Sequence, residues 1–170
     1  TAFVTAGAGG PWFRTGDLMR RDAQGYFYFV DRIGDTYRWK GENVSTQEVE
    51  QVLAAFDGIQ EVNVYGVAVP GAEGRAGMAS IVARDGIDPK ALYDHVQERL
   101  PDYAQPLFLR IRQKLDTTGT LKLRKMDLVE DGFDPDKVDE PLFVADVKAR
   151  TYVPLDADRY GDITGGRMRF

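Results

Sequence analysis

Chemistry in this chain has to come from carboxylates, cations and backbone groups, because its 170 residues include no cysteine and a single histidine, His95. Disulfides, thiolate catalysis and Cys-based zinc sites are excluded, as is any Ser/His triad that does not use His95. Four short stretches have residue types that could act on a ligand. Phe13-Arg14-Thr15-Gly16-Asp17 is a glycine turn presenting a carboxylate, which can accept hydrogen bonds from both hydroxyls of a ribose diol. Asp31-Arg32-Ile33-Gly34-Asp35 sets an arginine near a glycine, able to hold phosphate or ribose while the backbone turns. Trp39-Lys40-Gly41-Glu42-Asn43-Val44 has a glycine where a narrow ligand could come close to the main chain. In Thr117-Thr118-Gly119-Thr120-Leu121-Lys122, a lysine beyond a Gly/Thr loop can reach an anionic site and stabilise charge developing on a transferring group. Taken one at a time, each stretch also reads as an ordinary solvated turn.

The elements that would position these stretches follow from local patterns. Residues 1–11 are rich in Ala, Gly and Thr and read as a linker ending in Gly9-Gly10-Pro11. Tyr26–Val30 and Thr36–Trp39 are aromatic, β-favouring runs around Gly34-Asp35, which predicts two strands meeting at a turn. Ser45 with Glu48 three residues on forms a capping box, and Val44 and Val49 sit at the flanking staple positions. Val49, Val52, Leu53 and Phe56 then repeat at helical spacing until Gly58. Val62–Val69 and Met78–Ala83 read as antiparallel strands joined by a small-residue turn. Asp88-Pro89 caps a second helix with Leu92, Val96 and Leu100 on one face, and Leu107–Ile111 is a further strand. From Asp131 onward, charged turns alternate with short apolar pieces such as Leu142-Phe143-Val144. The order β-β-α-β-β-α-β plus a tail predicts a small α+β domain, a short β-hairpin and a mainly antiparallel sheet with helices packed on it.

Totals narrow the function classes. Hydrophobic residues make up 43% and charged residues 29%, a globular composition, and no run approaches the roughly 18–20 apolar residues of a membrane span. A net charge of −5 argues against a general nucleic-acid binder. The start, Thr1-Ala2-Phe3-Val4, lacks an initiator methionine and shows no secretory signal, which leads us to expect a piece of a longer or processed protein.

In their order and spacing, WFRTGD at 12–17, DRIGDTYRWKGENVSTQEVE at 31–50 and TTGTLKLRK at 117–125 resemble the adenylate-forming (acyl-CoA synthetase) superfamily. The matching parts are its late core motifs and its small C-terminal lid domain. The form of the 31–50 block looks most like the fatty acid transport protein and very-long-chain acyl-CoA synthetase branch. The resemblance covers about residues 12–130.

It implies a division into 1–31 (linker and final segment of a large N-terminal domain), 32–130 (C-terminal lid domain) and 131–170 (C-terminal extension). It also implies an ATP-dependent long- or very-long-chain fatty acid–CoA ligase, forming an acyl-adenylate and then a thioester, of which this chain alone would be catalytically incomplete. By the same resemblance Asp17 and Arg32 contact the nucleotide, Gly34 is the hinge, and Gly41 with Lys40 and Glu42 beside it faces CoA. Lys122 is the adenylation lysine. Here the sequence departs from the commonest pattern, in which the lysine directly follows the glycine, so Arg124 and Lys125 stay in competition with Lys122. ATP with Mg²⁺ and CoA are the implied substrates, with no metal held by this stretch itself. The implied partners are the large N-terminal domain, fatty acid, ATP and CoA, without nucleic acid. The implied location is the cytoplasm, with peripheral membrane contact through the large domain. Two other readings stay open: a non-catalytic binding or interaction domain of the same fold, and the lid of a ligase that loads an acyl carrier protein.

Overall fold

A computed structural model of the protein describes residues 3–5, 11–13, 17–32, 36–84, 86–113, 127–168 and 170. Two small antiparallel pairs come first. Strands β1 (Phe3–Thr5) and β2 (Pro11–Phe13) pair with each other, and so do β3 (Asp17–Arg21) and β4 (Phe27–Arg32). At the β3–β4 turn, Asp22 accepts the backbone N–H groups of Gln24 and Tyr26 and the Tyr28 hydroxyl, which together hold its carboxyl below the usual range. The third pair is β5 (Thr36–Trp39) with β6 (Glu42–Ser45).

These pairings correct one expectation. The runs at 26–30 and 36–39 are both strands, but they do not meet each other. Each pairs with a strand that the sequence pattern had not revealed, β3 in one case and β6 in the other. Short strands without strict alternation give no periodic signal of their own, and the partner decides.

The helix α1 (Thr46–Ala54) begins where its cap requires: Ser45 Oγ accepts from the Glu48 N–H. Its inward face buries Thr46, Val49 and Leu53. Strands β7 (Ile59–Ala68) and β8 (Arg75–Ala83) form a long antiparallel pair with a bulge near Ile59. The helix α2 (Pro89–Arg99) starts at Asp88, whose carboxylate accepts from the N–H groups of Lys90 and Ala91, and buries Leu92, Tyr93 and Val96. This helix carries the chain back so that β9 (Phe108–Arg112) lies parallel to β8, a connection that needs a crossover.

The part read as a tail is ordered structure. A helical turn at 127–131 is followed by β10 (Leu142–Asp146), β11 (Thr151–Pro154) and the helix α3 (Ala157–Thr164), capped by Asp156. The last two strands extend the main sheet to five, in the order β11-β10-β9-β8-β7, antiparallel except between β8 and β9.

Register assigns the two faces of this sheet. Gly66, Gly77, Ala79, Leu109, Phe143, Ala145 and Tyr152 share one face through their cross-strand partners and the period of two along each strand. On that side α2 packs through Tyr93, edge-on to Tyr152 at 5.7 Å. α1 touches α2 where Phe56 meets His95 edge-on and the His95 Nε2 lies 2.8 Å from the Val52 carbonyl. The opposite face carries Tyr65, Met78, Phe108 and Val144. There Phe108 stacks on Phe133 at 4.2 Å, and Phe133 in turn meets Tyr160 of α3 edge-on. The helical turn at 127–131, Phe133 and α3 therefore form the third layer of the domain.

On that second face sits a buried charge. Arg110 donates to Asp131 (2.8 Å) and, through Nη2 and Nε, to Glu140 (2.8 and 3.2 Å), which also accepts from Arg112. At the outer edge of the sheet, Glu50 of α1 accepts the backbone N–H of Val64 at 2.8 Å. Among the described residues no helix is long and apolar enough to cross a membrane.

Candidate functional site

Of the residues singled out for chemistry, three lie together on the β5–β6 turn. Lys40 and Gly41 are its two central residues and both have positive φ, +50° and +85°. That combination gives a two-residue hairpin turn whose twist matches the flanking strands. Glycine meets the requirement without strain, and a Cβ at Gly41 would meet no atom within 4 Å. Lys40, Gly41 and Glu42 are all exposed. The turn thus offers bare main chain to a narrow ligand, with one cation and one carboxylate beside it. It is a hairpin turn, with β6 between it and α1.

The hairpin stands on a close-packed base. Tyr37 and Trp39 point inward and are buried, while Arg38 and Lys40 point out. Tyr37 lies over Gly66 and Gly77, which are register partners on β7 and β8. A Cβ at Gly66 would stand 2.6 Å from Tyr37 Cβ and 2.9 Å from Arg75 Cβ. One at Gly77 would collide with the Tyr37 hydroxyl and come within 3.2 Å of Pro106 Cα. The hydroxyl itself is 3.5 Å from the Ala104 carbonyl, and burial pushes the phenol well above its usual range. A second anchor is the bridge between Trp39 and Gly74. Gly74 has φ +88°, and a Cβ there would collide with the Arg38 carbonyl oxygen.

The nucleotide candidates are also brought together. Asp17 and Arg32 are Cα partners at the open end of the β3–β4 pair. Two residues fifteen apart in sequence thus share one rung of a ladder, the arrangement that a shared ligand would need. Gly34, Lys122, Arg124 and Lys125 lie outside the described residues.

A groove of about 590 Å³ lies between α1 and β7, lined by Gln47, Glu50, Gln51, Gln60, Glu61 and Asn63 among others. It contains none of the candidate residues above. Among the described residues no group of three His, Cys, Asp or Glu side chains is placed to hold a metal ion.

The residues that sequence reasoning missed are those of the hairpin's base. Gly66 and Gly77 were read only as part of a loosely alternating strand and a small-residue turn. A glycine inside a strand signals close approach by another part of the chain, and that signal was present.

With the geometry in place, likeness to known proteins adds the family. Residues 48–122 match the model for the AMP-binding enzyme C-terminal domain. Over 163 residues the chain is 53% identical to long-chain fatty acid transport protein 6 of Mus musculus and 51% identical to long-chain fatty acid transport protein 3 of Homo sapiens. Each alignment covers 95% of this chain but only 26% and 24% of the relative, so the chain spans about a quarter of the length of the curated relatives it matches. A double mutant of o-succinylbenzoate CoA synthetase from Bacillus subtilis, bound with its product analogue OSB-NCoA, superposes with a TM-score of 0.54 at 30% identity, covering 68% of this chain and 24% of that one. The small α+β fold, the motif order and these likenesses agree: the chain carries the C-terminal domain of the adenylate-forming family, in a form similar to that of the long-chain fatty acid transport proteins.

Proposed function

We propose that this chain is the C-terminal lid portion of an ATP-dependent ligase that joins a long- or very-long-chain fatty acid to CoA. The observation that carries the reading is the exposed Lys40–Gly41 turn, with bare main chain at its tip and a rigid base beneath it. The names of the relatives, fatty acid transport proteins and a CoA synthetase, support the substrate classes.

In the first half-reaction a carboxylate oxygen attacks the α-phosphorus of ATP, the bond to pyrophosphate breaks, and acyl-AMP forms. In the second, the CoA sulfur attacks the acyl carbon, the bond to the phosphate oxygen breaks, AMP leaves and the thiol proton is released. Asp17 and Arg32 bind the nucleotide, and their shared rung supports a joint contact. Lys122, ahead of Arg124 and Lys125, neutralises charge at the α-phosphate, and Gly34 is the hinge about which the lid reorients between half-reactions. Gly41, flanked by Lys40 and Glu42, lines the path of the CoA thiol.

Under this reading residues 1–31 complete a large N-terminal domain, 32–130 form the lid and 131–170 extend it. The large domain supplies the remaining contacts to fatty acid and ATP. The same proposal places the protein in the cytoplasm, in peripheral membrane contact through that domain.

In the full-length protein, Lys122→Ala should lower ATP–pyrophosphate exchange by about 10²- to 10³-fold, the scale for losing one charge-stabilising group. Thioester formation from supplied acyl-AMP should survive. Unchanged exchange would remove Lys122 from its role.

A further inference from the structure

We propose that Tyr37, seated over the Gly66–Gly77 pair, is a positioning residue for the thioester-forming half-reaction, fixing where the Lys40–Gly41 turn meets the CoA thiol arm. The inference rests on the reading just given, and it concerns residues to which that reading assigns no role.

Neither Gly66 nor Gly77 has a positive φ, so backbone conformation does not call for glycine at these places. Space does. The two lie opposite each other on neighbouring strands and leave a slot one side chain deep, and the Tyr37 ring fills it from Cβ at Gly66 to hydroxyl at Gly77. Both ends of a rigid ring are therefore held by main chain. Tyr37 is three residues from Lys40, and the intervening Trp39 is bridged to Gly74. The turn itself has only two central residues, so little slack separates the seat from Gly41. A displacement at the slot passes to the tip of the turn.

The ring is seated by van der Waals contact, with the Arg75 guanidinium donating to the Gly66 carbonyl beside it at 3.4 Å, so what the slot transmits is position. Misplacing a reacting group by about 1 Å can cost on the order of 10²-fold in rate. The adenylation half-reaction, assigned to Lys122, Asp17 and Arg32, does not run through the slot.

The test uses the full-length protein and reads both half-reactions. Gly77→Ala should raise the KM for CoA or slow thioester formation from acyl-AMP by about tenfold or more, with ATP–pyrophosphate exchange within about twofold of wild type. Adding Tyr37→Phe removes the atom that the new methyl strikes and should restore most of the CoA step. Tyr37→Phe alone keeps the ring and should raise the KM for CoA by about two- to fivefold, which preserves the test if Gly77→Ala does not fold. Equal losses in both half-reactions, or an unchanged KM for CoA in the Tyr37→Phe variant, would overturn the proposal. A wild-type protein that makes acyl-AMP and never passes the acyl group to CoA would instead overturn the function on which it rests.

Discussion

The two faces of the five-stranded sheet are closed by different physics. On one, the β5–β6 hairpin is held by shape: two glycines and an aromatic ring. On the other, residues 127–140 and α3 are held by an aromatic stack around Phe133 and by Arg110, whose side chain is 7% exposed and clasps Asp131 and Glu140. The hairpin face carries the candidate CoA-facing turn, and the far face carries none of the described candidate residues. Shape-based seating depends on single methyl groups and is indifferent to pH. Charge-based seating tolerates small changes of volume but needs all its partners ionised.

This contrast can be strained at three points. The largest effect is expected from Phe133→Ala, which empties the centre of the stack between Phe108 and Tyr160 and should cost about 3–5 kcal/mol in chemical denaturation. A cost below about 1 kcal/mol would mean that the third layer is not packed as a core. Next, Arg110→Met keeps the length of the side chain but removes the cation that Asp131 and Glu140 share, leaving Glu140 with Arg112 alone. Because Asp131 and Glu140 are partly solvated, the expected cost is about 2 kcal/mol by the same measurement. No loss at all would show the tail to be held by apolar contact alone.

The smallest effect is a pH dependence. Burial opposes ionisation of Glu140, but hydrogen bonds and charge from Arg110 outweigh it and hold the carboxyl below its ordinary value of 4.5. A depressed folded-state pKa gives stabilisation that is complete above the unfolded value and lost as pH falls through the folded one. The melting temperature should therefore drop as pH goes below about 4.5, and Glu140→Gln should flatten that part of the profile. Identical profiles for the two proteins would remove Glu140 from the account.

The parts legible in the sequence were those whose signals are local. Both caps, Ser45 before α1 and Asp88 before α2, announce themselves within four residues, and the apolar spacing behind each confirms it. The β5–β6 turn was not legible because Lys40 takes a positive φ that lysine seldom adopts, and no Asn-Gly pair marks the place. α3 escaped because Gly161 interrupts a short helix whose inward residues, Tyr160 and Ile163, are too few to show a period. Arg110 in the run Phe108–Arg112 reads as a solvated charge, and only the fold brings Asp131 and Glu140 to it.

For the candidate site, the residue types were visible and their companionship was not. Asp17 and Arg32 meet because β3 exists, and β3 has no strand pattern of its own. The glycine slot needs Tyr37 to cross β7 and β8, a contact between residues some thirty to forty positions apart.

One hydrogen bond has a consequence for the protein in company. β7 is an outer strand, and the carboxylate that Glu50 lends to Val64 occupies an outward-facing N–H that a strand of another molecule would otherwise take. A negative side chain laid along an open sheet edge refuses a neighbour twice, by filling a donor and by repelling a carbonyl. A strand from another molecule would have to displace this carboxylate before it could pair at Val64.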